Sequence, residues 1–202
     1  MLLLAVVALR VVARQRCTMY AAPYVYDPSS SGTLTAQWVS RLGVPTGNPP
    51  APVDPGLVLS KNATAPAGSM AGAYIRNVTG SLTELGFDYR EGGQCTTSSP
   101  RLVVVTSLSG THVVGGCSKG TISAPMIGTT PVAGWKRVRF NLADPLQVSP
   151  ALLPGDTITS ITLVLDQGPG TDPAAAGGLV VIDNIDINGT LVGRGPYSST
   201  GE

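Results

Sequence analysis

Three groups of side chains in this sequence are of types that could do chemistry. They are the acids of Leu179-Val-Val-Ile-Asp-Asn-Ile-Asp-Ile-Asn188, the lone histidine His112, and Trp135 with its neighbours Arg137 and Arg139. The first stretch alternates with period two. A regular strand would therefore put Leu179, Val181, Asp183, Ile185 and Ile187 on one face, and Val180, Ile182, Asn184 and Asp186 on the other. Asp183 then sits within an apolar face, where an unpartnered carboxylate is costly. Its partner could be backbone N–H groups of a crossing loop, or a bulge could turn it outward. Asp186 falls in the solvent-facing register and is expected to need no partner.

Trp135 opens a strand in which Val138, Phe140 and Leu142 point inward, so its ring is expected on the outer face with Arg137 and Arg139. A tryptophan beside cations is a usual sugar platform, the ring stacking and the charged groups bonding hydroxyls. A ring buried for structural reasons is the competing reading, and Trp38, Tyr74 and Tyr89 share that ambiguity. His112, just past a hairpin turn, is expected to be an exposed strand residue. No Gly-x-Ser-x-Gly elbow accompanies it, and metal-hydrolase spacings are absent. Glu84, Asp88 and Glu91 are close in sequence, but Glu84 and Asp88 read more simply as the outer face of one strand than as a hydrolytic carboxylate pair. Nothing here anchors catalysis.

The elements that must hold these residues are strands. With 25 glycines, 17 prolines and only 12% charged residues, the composition suits a loop-rich, all-β extracellular protein. Strands are expected at Tyr24–Tyr26 and Thr33–Val39 around an Asp27-Pro-Ser-Ser-Ser-Gly turn, then at Gly56–Ser60, Ala71–Val78 and Leu85–Arg90. Arg101–Thr106 and Thr111–Val114 form a hairpin about Ser107–Gly110. Arg137–Leu142, Thr157–Asp166 and the opening stretch complete the series, with Asn188-Gly189 as a hairpin turn. Strands of this number, with long uneven loops, predict a jelly-roll β-sandwich of two antiparallel sheets. The net charge of +1, without a basic run, gives no reason to propose nucleic acid as a partner.

Residues 1–22 read as a signal peptide, with an apolar run from Leu2 to Leu9 that is too short for a membrane span. It lacks a basic start, which an upstream initiation site would explain. Cleavage is expected near Ala21–Ala22, and Cys17 would leave with the segment. Residues 23–194 then form one domain and 195–202 a flexible tail. Cys95 and Cys117 remain as an even pair, flanking the hairpin at similar distances from its turn, and are expected to be joined. A disulfide implies an oxidising compartment. Asn62, Asn77 and Asn188 each begin an Asn-x-Thr sequon.

The strands together with Gly134-Trp-Lys-Arg-Val-Arg-Phe140 and Leu179-Val-Val-Ile-Asp-Asn-Ile-Asp-Ile187 resemble the galactose-binding-like jelly roll, which includes many carbohydrate-binding modules. Leu85-Gly-Phe-Asp88, Gly115-Gly-Cys117 and Asp183-Asn-Ile-Asp186 resemble a group of secreted bacterial proteins of uncharacterised function. The resemblance implies a structural calcium held by Asp183 and an acid near the N-terminus, here Asp27. It also implies a non-catalytic module binding an extracellular glycan, with Trp135, Arg137 and Arg139 as ligand residues. A structural or surface-interaction protein without a small-molecule site is the alternative, and a hydrolase a remote one.

Overall fold

A computed structural model describes residues 18–47, 53–62, 65, 68–166 and 178–195. Two large antiparallel sheets pack face to face. The first joins β1 (Tyr20–Tyr26), β4 (Met70–Arg76), β13 (Ile158–Leu165), β6 (Arg101–Thr106), β7 (Gly110–Gly115) and β12 (Val148–Ser149), in that order. The second joins β2 (Leu34–Val39), β3 (Gly56–Lys61), β14 (Gly178–Ile187), β5 (Leu85–Arg90), β11 (Trp135–Phe140) and β8 (Thr121–Ser123), and β15 (Thr190–Val192) pairs with β14. A two-stranded ribbon of β9 (Met126–Ile127) and β10 (Thr130–Pro131) stands beside the second sheet's outer face. The expected all-β jelly-roll-like sandwich is what the chain forms.

Alternation builds the core. Leu57, Leu59, Leu85, Phe87, Val138 and Phe140 from the second sheet meet Ala73, Ile75, Leu102, Val104, Ile161, Leu163 and Leu165 from the first. These buried side chains supply the main drive for the two layers to stay together. Asn188 and Gly189, both at positive φ (54° and 76°), turn β14 into β15 as the Asn-Gly pair predicts. The Asn188 side chain is committed to that corner, accepting from the Thr83 and Glu84 amides and donating to the Ser81 carbonyl.

The strands either side of Asp27 pair elsewhere, β1 with β4 and β2 with β3, so the chain changes sheet at that turn. β8, β9, β10, β12 and β15 run only two or three residues, too short to show alternation in the sequence. The proposed cleavage near Ala21–Ala22 falls inside β1, where Tyr20, Ala21 and Ala22 pair with Arg76, Ile75 and Tyr74. At the other end, Arg194 still bridges to Ala21. Cys17, most of the expected signal segment and residues 196–202 lie outside the described residues.

Candidate binding site on the outer face of the second sheet

β14 carries the site because its alternation breaks. Asp183 lies opposite Asp88, but the next pair is Asp186 opposite Gly86, so β14 spends one more residue than β5 between the two pairs. Asn184 occupies the step at φ 46°, a left-handed value that asparagine tolerates better than most residues. This bulge inverts the facing of everything after it. Val180 and Ile182 point into the core before it, and Ile185 and Ile187 after it. The single apolar face expected from Leu179 to Ile187 therefore does not exist: Asp183 and Asp186 both belong to the outer face. The acid-in-apolar-face conflict is removed by one extra residue.

Neither acid is solvated there, and Asp186 is the correction to the expectation of a free surface residue. It is 5% exposed, bonds Arg139 Nη2 at 2.7 Å and accepts the Gly189 amide at 2.9 Å. Asp88, expected as a plain outer-face acid, is fully buried and takes a two-pronged bond from Arg137, Nε to Oδ1 at 2.8 Å and Nη2 to Oδ2 at 3.0 Å. Asn184 Nδ2 adds a third bond to Asp88 at 3.0 Å. Arg139 also reaches Glu84 at 3.3 Å. Arg137 and Arg139 thus serve neighbouring carboxylates across β5, β11 and β14.

Asp183 has a different task. One oxygen accepts the Val44 amide at 2.7 Å and the other the Asn184 amide at 2.8 Å. The loop between β2 and β3 is thereby drawn onto β14, and Gly43 lets it come close. A Cβ at Gly43 would stand 2.5 Å from the Asp183 carboxylate and 2.6 Å from the Asp54 carbonyl. The Gly43 amide donates to that carbonyl at 2.7 Å. Of the readings open for Asp183, a bulge and a crossing loop's N–H group both hold. The N-terminal turn does not take part, because Asp27 spends its carboxylate on Ser29, Ser31 and the Gly32 amide of its own turn. Asp27 and Asp183 do not fit a shared calcium: their oxygens are separately engaged, and among the described residues no group of three or more His, Cys, Asp and Glu is placed to hold a metal ion.

Burial pushes the Asp183 carboxyl up to about 6, against the two amide bonds that hold it down, with the charges of Asp54 and Asp88 adding to the rise. An acid whose folded value exceeds its ordinary 3.8 holds a proton in the fold that the unfolded chain releases. Its contribution is therefore fully present below pH ~4 and lost as pH rises to about 6, amounting to at most about 3 kcal/mol. Urea titrations at pH 4.5 and 6.5 should show the wild type losing ground to Asp183→Asn across that interval. A difference independent of pH would mean that the carboxyl is already ionised at pH 4.5.

The tethered loop covers Trp135. The ring is on the outer face, as expected, but only 7% exposed, packed with Val44, Val132 and Val181. It offers no open platform. Two clefts flank this cluster instead. One, of about 210 Å³, is lined by Arg41, Leu42, Gly43, Arg90, Gly134 and Trp135 among others. The other, of about 330 Å³, is apolar and lies between Pro45 and Gly47 on one side and Ile127, Pro131 and Val132 on the other. Pro45 and Ala133 border both. Sequence reasoning missed Arg41 and Arg90, since neither stands in a motif.

His112 is the remaining correction. It is fully buried rather than exposed, facing inward with Val114 of its own strand. Burial is tolerable because both ring nitrogens are satisfied, Nδ1 by the Pro150 carbonyl at 2.7 Å and Nε2 by the hydroxyls of Ser109 and Thr106 at 2.8 and 3.1 Å. A serine against a histidine resembles a nucleophile and its base. Here, however, Ser109 Oγ also bonds Asp156, and the Leu108 and Ser109 amides point to the same carboxylate rather than to an open site. The Leu153 amide bonds it too. These bonds hold the Asp156 carboxyl well below the usual carboxylate range, against its own desolvation. The cluster clamps the β6–β7 turn to the loop before β13.

The first sheet's outer face carries the other accessible aromatics. Tyr74 is 40% exposed and stacks on Tyr24 with ring centroids 4.2 Å apart, and the Arg76 guanidinium lies 4.9 Å from the Tyr74 centroid. Tyr89 is in the core, and half-buried Trp38 donates to the Ala21 carbonyl at 3.0 Å. The cysteines are joined as expected, Cys95 to Cys117, with Cα atoms 5.0 Å apart. Among the described residues no helix is long and apolar enough to cross a membrane. Comparison of the chain with family models, curated proteins and solved structures finds no match.

Proposed function

We propose that the protein is a non-catalytic, extracellular binding module of the galactose-binding-like kind, taking a carbohydrate in the paired clefts over Trp135. The observation that carries the reading is the junction of a polar and an apolar cleft sharing Pro45 and Ala133. Saccharides need that combination, an apolar wall for the ring face and converging polar groups for the substituents. The Asp183 tether supports it, since Gly43 and Val44 held in place give the cleft a preformed edge with little ordering cost. The disulfide agrees with an oxidising compartment.

Ala133 is exposed at the junction, so Ala133→Trp fills the clefts without entering the core. On a glycan array the wild type should bind a defined subset of saccharides, and Ala133→Trp should lose at least tenfold in affinity with an unchanged melting temperature. Binding that survives Ala133→Trp and disappears in Tyr74→Ala would move the site to the other sheet. No binding to any glycan would overturn the carbohydrate reading in favour of a structural role.

A further inference from the structure

Arg41 and Arg90 border the polar cleft from two different loops or strands, and both are exposed. Among the described residues neither guanidinium has a hydrogen-bond or ion-pair partner. That separates them from Arg101, Arg137 and Arg139, each of which bonds a carboxylate. Arg41 is also held at φ 64°, a left-handed conformation unusual for a residue with a long side chain. Two residues on, Gly43 is bonded to the Asp54 carbonyl, and Val44 is bonded to Asp183. The tether therefore fixes the backbone that presents Arg41 to the cleft. Such a backbone conformation persists only where its surroundings enforce it, and it clusters at binding sites.

We infer that this cleft recognises an acidic saccharide, with Arg41 and Arg90 binding its anionic group and the neighbouring apolar cleft taking the face of the adjoining ring. The inference rests on the carbohydrate reading above and names the ligand class. A guanidinium pairs with a carboxylate or a sulfate ester through two parallel N–H bonds, giving geometry as well as charge. Two unpaired arginines on one small cleft attract one such group, and no carboxylate is among the described residues that line it. Of the acids around it, Glu91 pairs with Lys136 at 3.3 Å and Asp183 is buried against Val44, while the exposed Asp54 follows the lining Val53. Ala133 and Pro45, common to both clefts, make the apolar wall continuous with the charged end. Ile127, Pro131 and Val132 supply that wall.

The test uses the whole chain and three probes: an oligogalacturonate, the same oligomer fully methyl-esterified, and a sulfated oligosaccharide. Methyl esterification removes the charge and leaves the sugar backbone unchanged. Calorimetry should show an acidic probe binding at least tenfold more tightly than the ester, with an affinity that falls as salt is raised. Arg41→Gln and Arg90→Gln should each cost about tenfold with the acidic probe and almost nothing with the ester. Arg76→Gln, on the other sheet, should change neither. Preference for the sulfated probe over the uronate would support the inference and identify sulfate as the group. Equal affinity for acid and ester would overturn the anion inference while leaving the carbohydrate reading intact. Failure of every probe, on a protein with the wild-type melting temperature, would overturn the anion inference, and the carbohydrate reading falls with it only where the glycan array is also empty.

Discussion

Asp88→Ala should lower the unfolding free energy by about 3–5 kcal/mol, the range for removing one partner of a buried ion pair. Asp88 is fully buried and accepts three bonds, two from Arg137 and one from Asn184. Truncation leaves a guanidinium with 28% side-chain exposure facing a hole, and the amide of Asn184 without its acceptor. Asn184 is the residue in the left-handed conformation that inverts β14, so the loss reaches the strand on which Asp183 and Asp186 depend. Asp88→Asn keeps the shape and one acceptor, and should cost less. A double variant with Asp88→Leu and Arg137→Met should recover much of the loss, because a well-packed apolar pair often equals a buried ion pair. Urea unfolding of the single and double variants measures the coupling. A cost below 1 kcal/mol for Asp88→Ala would place the pair with ordinary surface salt bridges.

The two sheets were legible in the sequence because alternation is a local signal, and Leu85, Phe87 and Tyr89, or Ile161, Leu163 and Leu165, carry it without interruption. β14 was legible as a strand and not as a face. Its side chains alternate in sequence on both sides of Asn184, and nothing in those letters shows that one residue is left over against β5. Asparagine is among the few residues that accept a positive φ, so Asp183-Asn184 was compatible with a bulge without demanding one. The partners of Asp88 and Asp186 were hidden for a similar reason. The sequence offers Arg137 and Arg139 as ligand residues, and that they pair with Asp88 and Asp186 depends on the long-range pairing of β11 with β5. Trp135 was placed on the correct side of its sheet, yet its burial depends on Val44 arriving from a loop ninety residues earlier in the chain. A turn-proximal histidine is usually solvated, and for His112 only the fold brings the Pro150 carbonyl to its second nitrogen.

Removing the Cys95–Cys117 link should cost about 3 kcal/mol, mostly by freeing the unfolded chain. The bond joins residues 22 apart and so closes a loop containing the whole β6–β7 hairpin. In the fold, the segments it joins are held by other contacts as well. The Gly116 amide donates to the Thr97 carbonyl and the Ser118 amide to the Thr96 carbonyl, each at 3.1 Å. Gly116 lies so close to the facing segment that a Cβ there would stand 2.5 Å from the Ser99 nitrogen. These contacts should keep the two segments together in a Cys95→Ala, Cys117→Ala double variant, which should therefore retain the sandwich and its sheet pairing. Alanine suits the test better than serine because Cys117 is fully buried and a hydroxyl there would need a partner. The loss should then appear in the unfolded state. The urea slope should rise, since an uncrosslinked chain exposes more surface on unfolding. A lower midpoint with a steeper slope fits this account. A lower midpoint with an unchanged slope and lost hairpin protection in hydrogen exchange would mean instead that the link holds the native hairpin in place.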